Sequence, residues 1–123
     1  MLKIASFAIS KERKEYNEDE NCYDYVYRDE TIHVDKETAL NVIGALGNLF
    51  SIIDKLSTSY KGVVNDRRKP HKTVVGDVKA TLNYAREFDV EIKTDTEHCS
   101  FTITIDEGIA LVNYLESVIA LYP

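Results

Sequence analysis

The residues with the clearest chemical potential form a run of positive charge in the second half of the chain. Four basic side chains fall within six positions, in the segment Arg67-Arg68-Lys69-Pro70-His71-Lys72. Guanidinium groups match the oxygens of phosphates and carboxylates, so this spacing predicts an anion site. The competing interpretation is a solvated linker, because charge runs commonly form solvated surfaces.

Tyrosines could extend this site. The chain has 8 Tyr and no Trp, and Tyr60 is the tyrosine nearest in sequence to the basic run. An aromatic ring can stack on a nucleobase while cations hold a phosphate. The predicted ligand-binding residues are therefore Arg67, Arg68, Lys69, His71, Lys72 and Tyr60. Tyr23, Tyr25 and Tyr27 are also explained as strand formers, each with a buried ring and a hydrated hydroxyl.

The remaining polar residues do not form a recognisable catalytic or metal-binding pattern. The sequence lacks GxSxG, HExxH, P-loop and GxGxxG motifs, its three histidines are scattered, and its two cysteines form no CxxC. These observations predict a non-enzymatic protein without a cofactor or a bound metal. The acidic stretch around Glu18-Asp19-Glu20 is interpreted either as a solvated surface or as an attraction for a basic partner.

Length and composition predict one globular domain. The chain has 123 residues, 44% of them hydrophobic, with 21 acidic and 15 basic side chains. The net charge of −6 disfavours general binding of duplex DNA. The sequence contains neither an apolar run of about 20 residues nor a secretory leader pattern, so we expect a cytoplasmic protein with reduced cysteines and no membrane association.

One motif occurs twice. Thr31–Asp35 (TIHVD) resembles Thr102–Asp106 (TITID), and Tyr23–Arg28 resembles Phe88–Lys93 in its aromatic, acidic, apolar and basic positions. The alternative explanation is chance similarity between short segments. The duplication predicts two strand–strand–helix units, an α+β fold with an antiparallel sheet and two long helices. The units would span 1–57 and 74–123, joined by a loop over 58–73.

Alternating apolar residues predict the strands. In the first unit, Tyr23–Tyr27 and Ile32–Val34 would form a half-buried hairpin around a tight turn at Asp29-Glu30. The charged segment Ser10–Asn21 has no periodicity and is predicted to be a loop. Val75–Phe88 fits a helix as well as a strand, and we favour the strand because Val78, Ala80 and Leu82 share one parity with later apolar residues.

The helices are predicted from capping residues and apolar spacing. Asp35 and Asp106 stand where N-caps are expected, each followed by apolar residues at helical intervals. Gly44 and Gly47 lie on one stripe of the first helix, which predicts the close approach of another backbone. The second helix is apolar over a wide arc. We therefore expect a homo-oligomer.

In its small size, its α+β build and its Arg67–Lys72 loop beside aromatic residues, the chain resembles phage counter-defence proteins. It is similar to the nucleotide-signal sponges that oppose Thoeris immunity. The resemblance implies that a phosphorylated nucleotide signal is sequestered without cleavage, at sites near subunit boundaries. The alternative hypothesis is a protein that inhibits a host defence enzyme, such as a nuclease, through its acidic N-terminal half.

Overall fold

The computed structural model describes residues 2–58 and 70–123. It is an α+β fold with two antiparallel sheets and two helices. The elements, in chain order, are β1 (Lys3–Asn17), β2 (Cys22–Asp35), α1 (Lys36–Thr58), β3 (His71–Val75), β4 (Val78–Leu82), β5 (Glu87–Lys93), β6 (His98–Thr104) and α2 (Ile105–Ile119). Neither described helix is both long and apolar enough to span a bilayer.

Strands β3 to β6 form a meander in which each strand pairs with the next. The apolar residues of β4, β5 and β6 stand opposite one another, for example Ala80 opposite Val90 and Val90 opposite Phe101. Residues that are directly opposite in antiparallel strands lie on the same face of the sheet. One face therefore carries the apolar side chains, and helices α1 and α2 cover it. The strand predicted within Val75–Phe88 is confirmed as β4.

Helix α1 buries the stripe that its apolar spacing predicts, with Val42, Leu46 and Leu49 fully buried. Helix α2 is rotated relative to the prediction. The apolar spacing after Asp106 places Ile109 and Leu115 on the main stripe of α2 and Leu111 beside it, but Leu111 and Leu115 are buried and Ile109 is 44% exposed. The side chain of Leu111 thus replaces that of Ile109 in the core.

The two helix starts differ. The Oδ1 atom of Asp35 accepts a hydrogen bond of 2.8 Å from the amide of Thr38, which confirms Asp35 as the cap of α1. The N-cap of α2 is Thr104, whose side chain accepts from the amide of Glu107 while the Glu107 carboxylate accepts from the amide of Thr104. The prediction that Asp106 is the cap was wrong, because the capping box begins two residues earlier.

Gly44 and Gly47 were predicted to allow the close approach of another backbone, and no described backbone of the same chain approaches them in this way. A Cβ atom at Gly44 would lie 3.4 Å from the side chain of Val75 in β3, and one at Gly47 would meet no atom within 4 Å among the described residues. Among the described helical glycines, the one in close contact is Gly108 of α2. A Cβ atom there would lie 2.7 Å from the ring of Phe88.

Strands β1 and β2 form a hairpin of their own, and here the structure differs most from the prediction. Ser10–Asn17 belongs to β1 rather than to a loop, and the turn lies at residues 18–21. Asp29 and Glu30 are not a turn, because they pair with Ser10 and Ile9 in the middle of β2. The hairpin packs its base onto the core through Ala5, Ile9, Ile32 and Val34.

Candidate functional site

The hairpin continues well past its buried base. The last buried residue of β1 is Ile9, and residues 10–29 beyond it are called the arm. Its eight residues of β1 extend the ladder by about 26 Å at the usual rise of ~3.3 Å per residue. In the described part of the chain, the side-chain hydrogen bonds, ion pairs and ring contacts of residues 14–29 all stay within the hairpin. The backbone hydrogen bonds between β1 and β2 therefore maintain the structure of the arm.

One face of the arm carries four tyrosines, called the tyrosine face. The ladder places Tyr16 opposite Tyr23, Lys14 opposite Tyr25 and Glu12 opposite Tyr27. Because β2 is continuous through Asp29 and Glu30, its odd-numbered tyrosines lie on the opposite face from Ile32 and Val34, and Tyr16 shares their face because it stands opposite Tyr23. Their exposed fractions are 51% for Tyr16, 58% for Tyr23, 66% for Tyr25 and 73% for Tyr27. The expectation of a half-buried tyrosine strand was wrong.

Neighbouring groups restrain the outer tyrosines. The rings of Tyr16 and Tyr23 meet edge to face with centroids 5.2 Å apart, and the Lys14 ammonium lies 4.5 Å from the centre of the Tyr23 ring. The Tyr16 hydroxyl also donates a hydrogen bond to the side chain of Asn21. Tyrosine has few rotatable bonds, so these contacts present a partly ordered aromatic surface to a ligand or a partner.

The opposite face and the tip of the arm are charged. Glu15 pairs with Arg28 at 3.4 Å, and Lys11 pairs with Glu30 at 3.2 Å. Asn17 shapes the tip by accepting hydrogen bonds from the amides of Asp19 and Glu20. Residues 10–29 contain seven acidic and four basic side chains. The arm is therefore net acidic, with three consecutive acids at its tip.

Of the predicted anion-site residues, the structure describes only His71 and Lys72. Arg67, Arg68, Lys69 and Tyr60 lie outside the described residues. His71 and Lys72 are neighbours in the edge strand β3, so their side chains point to opposite faces of the sheet. His71 is half-buried on the helix-covered face, where its Nε2 atom has no hydrogen-bond partner among the described residues. Lys72 is exposed on the other face.

Lys72 lines a polar cleft between the open face of the sheet and the base of the arm. The cleft has a volume of about 730 Å³ and is lined by three lysines and three acids: Lys11, Lys72, Lys79, Glu12, Asp89 and Glu91. Asp89 accepts hydrogen bonds from the Thr102 hydroxyl at 2.7 Å and from the Asn83 amide at 3.1 Å. The balanced charge makes this surface suitable for polar or zwitterionic groups, and less selective for anions than the basic run predicted.

A second groove lies on the other side of the arm, between β1 and α2. It has a volume of about 410 Å³, and apolar atoms of Phe7, Ile9, Ile103 and Leu111 form much of its wall. Tyr27 of the arm and Tyr114 of α2 also line it, and Glu107 is the single charged residue among the described lining residues. The Tyr114 hydroxyl accepts a hydrogen bond of 3.3 Å from the amide of Ser6, which links the helix to β1.

The two cysteines have different surroundings. Cys22 is exposed near the tip of the arm, where its Sγ atom lies 3.8 Å from Glu20 and 4.0 Å from Asp24. Ligand atoms of these three residues lie within 4.8 Å of one another, but all three residues are exposed and belong to the acidic tip. Cys99 is half-buried in β6, and burial raises the pKa of its thiol.

Comparison with protein-family models, curated proteins and solved structures finds no match for this chain. The assignment of the arm and its tyrosine face as a candidate site therefore depends on their geometry alone. The sequence contained two usable signals for them. Asn17 and Asn21 bracket the acids of the tip as turn residues would. Glu15 and Arg28 lie on either side of that turn with opposite charges, and they form a diagonal ion pair rather than a directly opposite one.

Proposed function

We propose that this chain is a non-enzymatic protein-binding module and that the arm is its recognition element. The observation that supports this most is the row of four exposed tyrosines on an arm whose described residues 14–29 keep their side-chain hydrogen bonds, ion pairs and ring contacts within the hairpin. A globular protein gains nothing in core stability from such an arrangement. Tyrosine is, however, among the residues that contribute most to the binding energy of protein interfaces.

Charge indicates the kind of partner. The arm has seven acidic and four basic side chains, and the acids Glu18, Asp19 and Glu20 stand at its tip. A phosphate backbone would be repelled by this tip, whereas a basic protein surface would be attracted and steered toward it. We therefore propose a partner with a basic surface. The nucleic-acid-binding face of a host defence nuclease has this character, so inhibition by occupying that face is the specific form of the proposal.

The test compares matched tyrosine variants. Tyr23→Ser combined with Tyr25→Ser removes the middle of the tyrosine face, and Tyr84→Ser removes a tyrosine that is 67% exposed in the turn after β4. Proteins retained from a lysate of the source cells are identified, and the binary affinity of each purified candidate is then measured. We expect the double variant to lose binding by about 100-fold or more and Tyr84→Ser to keep it. Equal affinities for both variants would contradict the proposal that the arm binds the partner.

Sequestration of a phosphorylated nucleotide signal is the second candidate function. It is supported by Lys72, the last residue of the basic run, which lies in one cleft with Lys79 and Lys11. Phosphate held by exposed lysines should bind more weakly as salt rises. Uptake of nucleotides and release of the unchanged compound on heating would support this candidate, and Arg67→Glu with Arg68→Glu should abolish the uptake. Full uptake by that double variant would contradict it.

We also propose that the protein acts in the cytoplasm and that its two strand–strand–helix units arose by duplication. A further proposal is that the protein assembles as a homo-oligomer. Large apolar side chains remain exposed near the start of α1 and the end of α2. Leu40 is 48% exposed, Leu121 is 76% exposed and Tyr122 is 47% exposed. Light scattering at micromolar concentration should show at least a dimer, and a monomer would contradict the assembly proposal.

A further inference from the structure

The groove between the arm and α2 begins where the tyrosine face ends. Tyr27 is the innermost tyrosine of that face, and it also lines the groove. A partner lying along the arm would therefore reach the groove without a change of direction. The volume of about 410 Å³ is near the lower end for ligand pockets, which suits a single side chain.

The charge that lines the groove is negative. No lysine, arginine or histidine lines it among the described residues, and Glu107 is its single carboxylate. The capping box fixes Glu107, because its Oε1 atom accepts a hydrogen bond of 2.9 Å from the amide of Thr104. The Oε2 atom has no hydrogen bond in the described part of the chain and is available to a donor. A fixed carboxylate beside apolar walls favours a cation with an apolar stem.

The positive end of the α2 dipole lies nearby and would oppose a bound cation. Asp106 and Glu107 both stand in the first turn of α2, however, and their two negative charges exceed the roughly half charge of a helix end. Two tyrosines, Tyr27 of the arm and Tyr114 of α2, also line the groove. The face of a tyrosine ring attracts a cation, and a planar guanidinium can also stack on it.

We infer that this groove is a specificity pocket for one arginine side chain of the protein partner. The inference rests on the proposed function, since it adds a defined anchor to a basic partner that the arm would bind. Arginine is preferred over lysine because its planar fork can bind the Glu107 carboxylate while its face lies against tyrosine. The apolar wall, including Ile103 and Leu111, would contact the methylene groups of the stem.

The test uses a peptide probe and needs no knowledge of the partner. Isotope-labelled protein is titrated with Ac-Gly-Arg-Gly-NH₂ and with the matched citrulline peptide, which has nearly the same shape without the charge. Arginine should shift the amide signals of Tyr27, Glu107 and Ala110 saturably, and citrulline should bind about tenfold more weakly. Equal shifts with both peptides, or no shift at millimolar arginine peptide, would overturn the inference.

Glu107→Gln is the decisive variant because glutamine also completes a capping box, so α2 should keep its start. The variant should bind the arginine peptide no better than the citrulline peptide, and its melting temperature should fall only slightly, because one of the two carboxylates of the first turn is lost. Glu116→Gln, on the same helix but away from the groove, is the control and should bind normally. If Glu107→Gln binds the arginine peptide normally, the inference is wrong.

The failure of this inference is distinguishable from failure of the arm proposal. If the Tyr23 and Tyr25 double variant loses a partner that Glu107→Gln retains at full affinity, the arm proposal stands and the pocket is refuted as a partner site. If the arginine peptide binds as expected but that double variant keeps its partner, the arm proposal fails alone.

Discussion

Phe88 and Tyr25 are both aromatic residues within antiparallel strands, but their surroundings are opposite. Phe88 in β5 is fully buried against Phe50 and Gly108, whereas Tyr25 in β2 is 66% exposed. Two regions with different sources of stability explain this contrast. The four-stranded sheet and its helices are stabilised by burial. The arm is stabilised by its backbone ladder and by pairs such as Arg28 with Glu15, so its side chains remain available for contact with another molecule.

The largest expected effect tests this contrast directly. Phe88→Ala removes a ring from the centre of the core and should lower the free energy of unfolding by about 3–5 kcal/mol. Tyr25→Ala removes an exposed ring and should change it by less than about 0.5 kcal/mol. Denaturant titration of both variants measures the two values. A large loss at Tyr25 would mean that the arm contributes to the core.

A second comparison uses two helical glycines. Gly108→Ala places a methyl group 2.7 Å from the Phe88 ring and should cost about 1–3 kcal/mol. Gly47→Ala meets no described atom within 4 Å and should stabilise α1 by about 0.5–1 kcal/mol. Thermal unfolding should therefore move in opposite directions. If Gly47→Ala is destabilising instead, Gly47 lies at a contact with another subunit.

The helix caps give a smaller effect. Thr104→Ala removes half of a capping box and should cost about 0.5–2 kcal/mol. Asp106→Ala removes a carboxylate from the first turn without removing a cap, so its cost should stay at about 0.3–1 kcal/mol. Chemical denaturation of the two variants decides the assignment. The reverse order of costs would restore Asp106 as the cap.

The cysteines probe the two regions without a change in stability. Cys99 is half-buried, and burial raises the pKa of its thiol above the ordinary value. The thiolate is the reactive form, so at pH 8 Cys99 should be alkylated more slowly than the exposed Cys22. Mass spectrometry after timed treatment with iodoacetamide measures both rates. Faster modification of Cys99 would show that β6 opens more readily than its packing indicates.

The sequence predicted the covered sheet better than the arm, for a physical reason. Val78, Ala80 and Leu82 alternate because one face of β4 is buried, and that alternation is visible in the residues. Neither face of the arm enters the core, so its segment Ser10–Asn17 shows no such periodicity. The parity change between Tyr27 and Ile32 suggested a turn, but it marks the point where one continuous strand leaves the core.

The sites could be predicted only in part. Lys72 does line a polar cleft. Lys11 of the arm lines the same cleft, but its position there depends on the path of the hairpin past β6. Likewise, Tyr27 and Glu107 are 80 positions apart, and no local pattern relates them. Both groupings arise from packing between the hairpin and the helix-covered sheet.

The central claim is that the arm contacts a protein partner through its tyrosine face. The most direct measurement places a photo-crosslinking amino acid at position 25 or, as a control, at position 84, where the native tyrosine has an almost equal exposure. Illumination in the source cells should give a discrete crosslinked protein from position 25 and none from position 84. Crosslinking from position 84 but not from position 25 would contradict the account.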